Sequence, residues 1–105
     1  MAISNVQFAA IVEHLRKVAP PARGTSVKVR RGRCPDSQRG HTAKKGRQFH
    51  ILIDSRLGYV ATEETMIHEW AHVRSWRPHH PLSGDHDAVW GVCYAEIYCL
   101  YHGVK

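Results

Sequence analysis

A chain of 105 residues with 43% hydrophobic content is one domain with a modest core, which excludes both a disordered segment and a core plus a second module. No apolar run reaches the length of a membrane span, and "MAISNVQFAAIVEHLRKVAP" has no basic leader and carries Glu13 in its apolar stretch, so neither an anchor nor a signal peptide is expected. The formal charge of +6 directs attention to anionic partners, and three cysteines without a C-x-x-C pair fit a reducing, cytoplasmic setting.

The first predicted element is a helix over about residues 4–18. "SNVQ" is a capping box: Ser4 accepts from the third helical N–H and Gln7 reaches back. Val6, Ala9, Ala10, Val12 and Leu15 follow a helical period, and Pro20 and Pro21 stop it. "TSVKVRRGR" alternates Val27 and Val29 against Lys28 and Arg30, the pattern of a half-buried strand. After the turn residues "CPDSQRG", the stretch "HTAKKGRQFHILID" predicts a hairpin. Its weak strand lies near 38–44, its turn is at Lys45-Gly46, and its strong strand runs through Phe49, Ile51 and Ile53. Residues 48–53 are expected to offer an open edge to an extended peptide.

Gly58 or Thr62 caps the next helix, with Glu63 and Glu64 in its first turn, where the helix dipole favours negative charge. Met66, Ile67, Trp70, Ala71 and Val73 make its buried side. Pro78 and Pro81 bound a loop. The last helix is predicted from near Asp85 to Tyr101, with Gly103 just past its end. Its apolar residues are Ala88, Val89, Val92, Ala95, Ile97, Cys99 and Leu100. Helix, two or three antiparallel strands, then two helices is an α+β domain.

Charge is uneven along this order. Residues 23–47 hold nine of the fifteen Lys and Arg, opposed by Asp36 alone. Arg30, Arg31, Arg33, Lys44, Lys45 and Arg47 are the candidates for contacting DNA or another polyanion. The competing reading is a solvated strand face. Cys34, beside this stretch, is a candidate for a lowered thiol pKa, although an inert loop cysteine is the simpler reading. His14, His41, His50 and His102 read as ordinary surface or strand residues.

"MIHEWAH", residues 66–72, carries the chemistry. With nine histidines in 105 residues, H-E-x-x-H arises by chance in roughly 3% of shuffled chains, so its weight comes from its setting. On a helix, His68 and His72 share one face and can offer their rings to one ion. Glu69, one position on, can take a proton from a water at that ion instead of binding it. A catalytic zinc site needs a third protein ligand. His79, His80, Asp85, His86, Asp87 and Glu96 are available downstream. His79 and His80 sit in a Pro-flanked loop. His86 starts the last helix and can lay one ligand across the first. Glu96 is the alternative if the site follows thermolysin-type enzymes. His86 and Glu96 lie about 15 Å apart along one helix, so they cannot both ligate.

"MIHEWAHVRSWRPHHPLSGDHDAVWGVCYAEIY" resembles the SprT-like (Spartan-type) metallopeptidases. The likeness lies in HExxH, a gap of about fifteen residues, and a His followed by a small-residue, aromatic stretch. "SGDHDAVWG" matches with His86 and Trp90, although Asp87 stands where the family carries Gly. The strand "RQFHILIDSRL" is also similar. The resemblance spans about residues 25–102 and implies a minimal zincin fold. It implies His68, His72 and His86 as Zn2+ ligands and Glu69 as catalytic base. The expected function is zinc-dependent hydrolysis of polypeptides, with substrates among nucleic-acid-associated proteins. The alternative is a basic nucleic-acid-binding module with a structural or vestigial metal. Trp70, Trp76, Trp90, Tyr94 and Tyr98 are expected as core and cleft wall; Tyr94 or Tyr98 is also a candidate for stabilising an oxyanion.

Overall fold

The computed structural model describes residues 2–35, 37–76 and 86–103. In chain order these form α1 (Asn5–Val18), β1 (Ser26–Gly32), β2 (Gly40–Lys45), β3 (Gln48–Asp54), α2 (Tyr59–Ser75) and α3 (Ala88–His102). The fold is α+β, with three helices and a three-stranded sheet. Ser4 and Gln7 form the capping box expected of α1, a device whose loss costs about 1 kcal/mol. The chain leaves α1 at Ala19, whose carbonyl accepts from Trp70 Nε1 at 2.7 Å. That bond satisfies the indole of the largest fully buried side chain among the described residues.

The sheet is mixed, which corrects the antiparallel sheet expected from sequence. Its order is β1-β3-β2. β2 and β3 pair antiparallel through the hairpin, but β1 pairs parallel with β3. The linker from β1 to β2 is short because it straddles only the end of β3, to which it is stitched. Asp54 N donates to Arg39 O at 2.8 Å, and Ser55 N donates to Gly32 O at 2.9 Å. β3 is therefore central and bonded on both sides, and residues 48–53 offer no edge. The edges belong to β1 and β2.

One face of the sheet meets the core. Val27, Phe49, Ile51 and Ile53 are buried there with Ile11 and Leu15 of α1 and Met66, Ile67, Trp70 and Ala71 of α2. No described element covers the other face.

α2 starts at Tyr59 behind the N-cap Gly58. Glu63 and Glu64 thus fall in its second turn, and the dipole argument for them in the first turn does not hold. α2 is buried around much of its circumference, including Thr65, Glu69 and His72. α3 behaves otherwise than its apolar pattern suggests. Only Ile97 is fully buried, while Val89, Val92 and Leu100 are 39%, 67% and 42% exposed. The helix packs by the row Trp90, Tyr94, Ile97 and Tyr101, which touches or joins the core and follows a helical period.

Candidate metal centre

His68 and His72 stand one turn apart on α2, as their spacing requires. His86 lies two residues before α3, in front of the N-cap. Asp87 supplies that cap, its side chain accepting from Trp90 N at 2.9 Å. A cap of this kind fixes where the chain enters the helix, and so where His86 is presented. The three side chains converge. His86 Nε2 is 2.9 Å from His68 Nε2 and 3.2 Å from His72 Nε2, and His68 is half-buried, His72 buried and His86 exposed.

The two separations from His86 fit a shared cation, and all three ligand atoms lie within 4.8 Å of one another. Nitrogens held at about 2.0–2.1 Å from one tetrahedral ion stand roughly 3.3 Å from each other. A cation satisfies the three ring nitrogens together, whereas imidazole hydrogen bonds satisfy them only in pairs. Glu96 is elsewhere: it pairs with Arg74 at 3.6 Å and is largely exposed. His79, His80 and Asp85 lie outside the described residues.

Trp90 braces the cluster. Its ring centroid is 4.9, 5.7 and 4.6 Å from those of His68, His72 and His86, and its Nε1 donates to His68 O at 3.3 Å. Burial, then the charge of His86, pushes the His68 pKa down, which favours the neutral ring that a metal requires.

Glu69 is buried beside the triad without joining it. Its Oε2 lies 4.0 Å from His68 Nε2, and its Oε1 accepts from Thr42 Oγ1 at 2.7 Å. Burial pushes its carboxyl pKa up, while the Thr42 hydrogen bond, His41 and His86 pull it down.

The triad opens into a cleft of about 740 Å³. α2 and α3 form one wall through Glu64, His68, His72, Trp90 and Tyr94; β2 and the loop before it form the other through Arg39, Gly40, His41 and Thr42. Tyr94 lines the cleft and Tyr98 does not. Burial, followed by the charges of Glu64 and Tyr98, raises the Tyr94 pKa, so its hydroxyl stays a donor. Gly40 and Thr42 are among the cleft residues that sequence reasoning passed over, and His41, read there as an ordinary surface or strand residue, lines the cleft as well. A Gly-His-Thr run in a weak strand carries no local signal of an approach to Glu69, 27 positions away from Thr42.

The basic candidates divide. Strand alternation turns Arg30 and Lys45 to the uncovered sheet face, beside Lys28, His41 and His50. Arg33 and Arg47 are exposed outside the strands. Arg31 is engaged on the opposite face: it donates to Ile3 O at 2.8 Å and to Asn5 Oδ1, and lies 5.1 Å from the Phe8 ring centre. Lys44 sits 5.7 Å from the Phe49 ring centre. Cys34 is buried, and burial, then the Asp54 charge, raises its thiol pKa. That corrects the lowered pKa considered from its basic neighbours. Among the described residues no helix is long and apolar enough to cross a membrane. No protein-family model, curated protein or solved structure matches this chain.

Proposed function

We propose that this protein is a zinc-dependent metallopeptidase of the SprT-like, zincin type. The observation that carries the reading is the convergence of three histidine Nε2 atoms beside a buried carboxylate that stands clear of them. Three histidines and an open fourth position are a catalytic donor set for zinc, whereas structural sites are closed by four protein ligands. When bound there, the ion supplies Lewis acidity that polarises a carbonyl and acidifies water.

The chain's own residues do the rest. Glu69 Oε2 takes the proton of the attacking water and delivers it to the leaving amine nitrogen. Trp90 holds the three imidazoles in register. The Tyr94 hydroxyl donates toward developing negative charge on the substrate. An extended peptide lies along β2, the edge strand that forms a cleft wall, through main-chain hydrogen bonds.

The Glu69→Gln variant tests this. It keeps the shape of the side chain and removes its capacity as a base. Elemental analysis should find about one zinc per chain in both proteins, while hydrolysis of fluorescein-labelled casein falls by about 10²- to 10⁴-fold. Undiminished hydrolysis, or a folded wild type that never takes up zinc, rejects the reading.

A second reading is a nucleic-acid-binding module whose metal is structural. The uncovered sheet face favours it, because Lys28, Arg30 and Lys45 project there with His41 and His50, and the one acidic strand residue, Asp54, is buried and paired with Arg56. In that case Glu69→Gln changes no function.

A further inference from the structure

The general base in the proposed reaction comes from α2, but its nearest hydrogen-bond partner comes from the opposite wall of the cleft. Thr42 Oγ1 is 2.7 Å from Glu69 Oε1 and 3.4 Å from the Glu69 carbonyl oxygen. A hydroxyl has one hydrogen to donate, and the shorter, charge-assisted contact takes it. The other carboxylate oxygen, Oε2, is the one nearest the histidines. One oxygen is thus tied and the other aimed.

The approach of the two elements is built for this contact. At Gly40, two residues earlier on the same face of β2, a Cβ would meet Thr65 Cγ2 at 2.8 Å, Glu69 Cγ at 3.2 Å and Leu52 O at 3.2 Å. Any larger residue there would hold the strand away from α2 and lengthen the bond. Gly40 and Thr42 both face inward in register with Ile53 and Ile51 of β3, so the central strand sets the height at which Thr42 meets the helix.

We infer that Thr42 is a positioning residue that holds the Glu69 carboxylate in one orientation, with Gly40 as the close-approach point that lets it reach. The role rests on the peptidase reading of this site, but the orientation itself is a property of the folded chain. Fixing a catalytic group in advance lowers the cost of reaching the transition state, and misplacing one by an ångström costs on the order of 100-fold in rate.

The test compares Thr42→Val, which keeps the branched shape without the hydroxyl, with Thr42→Ser, which keeps the hydroxyl. Zinc content, kcat and KM on fluorescein-labelled casein, and crystal structures of the zinc-loaded proteins are the readouts. Thr42→Val should keep its zinc and its KM, lose about 10- to 100-fold in kcat, and show Glu69 in more than one orientation. Thr42→Ser should restore both rate and orientation. Wild-type kcat in Thr42→Val overturns the inference, as does loss of zinc or of the fold in Thr42→Val, which would make Thr42 structural. If the wild type hydrolyses nothing, the peptidase reading fails and the crystal structures decide. A Glu69 carboxylate fixed identically in wild type and Thr42→Val overturns the positioning role, and one released only in Thr42→Val upholds it.

Discussion

At the scale of single residues, the choice of third ligand separates two site topologies. His86 stands within 3.2 Å of both other imidazoles, and Glu96 of α3 is paired with Arg74 of α2. His86→Ala should therefore weaken zinc binding by more than about 100-fold, the upper end of the effect of losing a mere supporting partner. Glu96→Ala should leave affinity within about 2-fold of wild type, because an exposed ion pair contributes little. Competition with a chelator of known affinity measures both. The reverse result would assign the site to the thermolysin-like alternative. HExxH was legible because its two histidines are one helical turn apart, a local relation. Thr42 was not, because its relation to Glu69 exists only across the cleft.

At the scale of elements, the junction from β3 into α2 places the helix that carries His68, Glu69 and His72 on the sheet. Asp54 ends β3 and gathers the chain around it. Its carboxylate accepts from Arg56 Nε at 2.8 Å, Nη2 at 2.6 Å and the backbone N–H at 2.9 Å, and from Cys34 N at 3.3 Å. The Arg56 side chain, then its backbone N–H, then Cys34 N–H hold the Asp54 carboxyl well below the usual carboxylate range, against its burial. The linkage follows from that direction. The unfolded chain takes up the proton first, so the stabilisation is complete above the ordinary value of 3.8. It fades as pH falls through the lower folded value. Asp54→Asn should be less stable than wild type at neutral pH, with the difference in melting temperature shrinking below about pH 4. Thermal unfolding followed by circular dichroism between pH 7 and pH 2 measures it; a gap that stays constant with pH refutes the role. "FHILID" announced a buried strand by its alternation, and its terminal Asp54 gave no sign that three chain segments meet on it.

At the scale of the whole molecule, the helices cover one side of the sheet and leave the other side to carry charge. If that face engages polyanions, binding is dominated by counterion release and is indifferent to sequence. Replacing Lys28, Arg30 and Lys45 with Glu should then weaken affinity for a short DNA duplex at low salt by at least about 10-fold, and wild-type binding should itself fall steeply as salt rises. Zinc content should not change. Arg31→Ala should instead lower thermal stability, because it removes a tie between β1 and the start of α1. Fluorescence anisotropy at two salt concentrations reads the first effect. No binding at low salt, or binding indifferent to salt, leaves these cations as a solubilising surface.

Local and periodic features of the sequence determined the six elements, the α1 cap, the Gly103 stop after α3 and the one-turn relation of His68 to His72. They did so because propensity, capping and amphipathic period act within a few residues. Strand order was beyond their reach. The sequence shows that β1 alternates but not on which side of β3 it lands, since that depends on a linker crossing the end of β3 and bonding there. The outward exposure of Val89, Val92 and Leu100 is a decision of the same kind. A helix apolar around most of its surface does not declare which side meets the core, and α3 was oriented by the aromatic row that reaches the histidines. The site itself divides along this line. Two histidines of the candidate site and its carboxylate were written into seven consecutive residues. The position of His86, the grip of Thr42 and the clearance at Gly40 came from packing elements distant in sequence, where shape and distance act and local pattern does not.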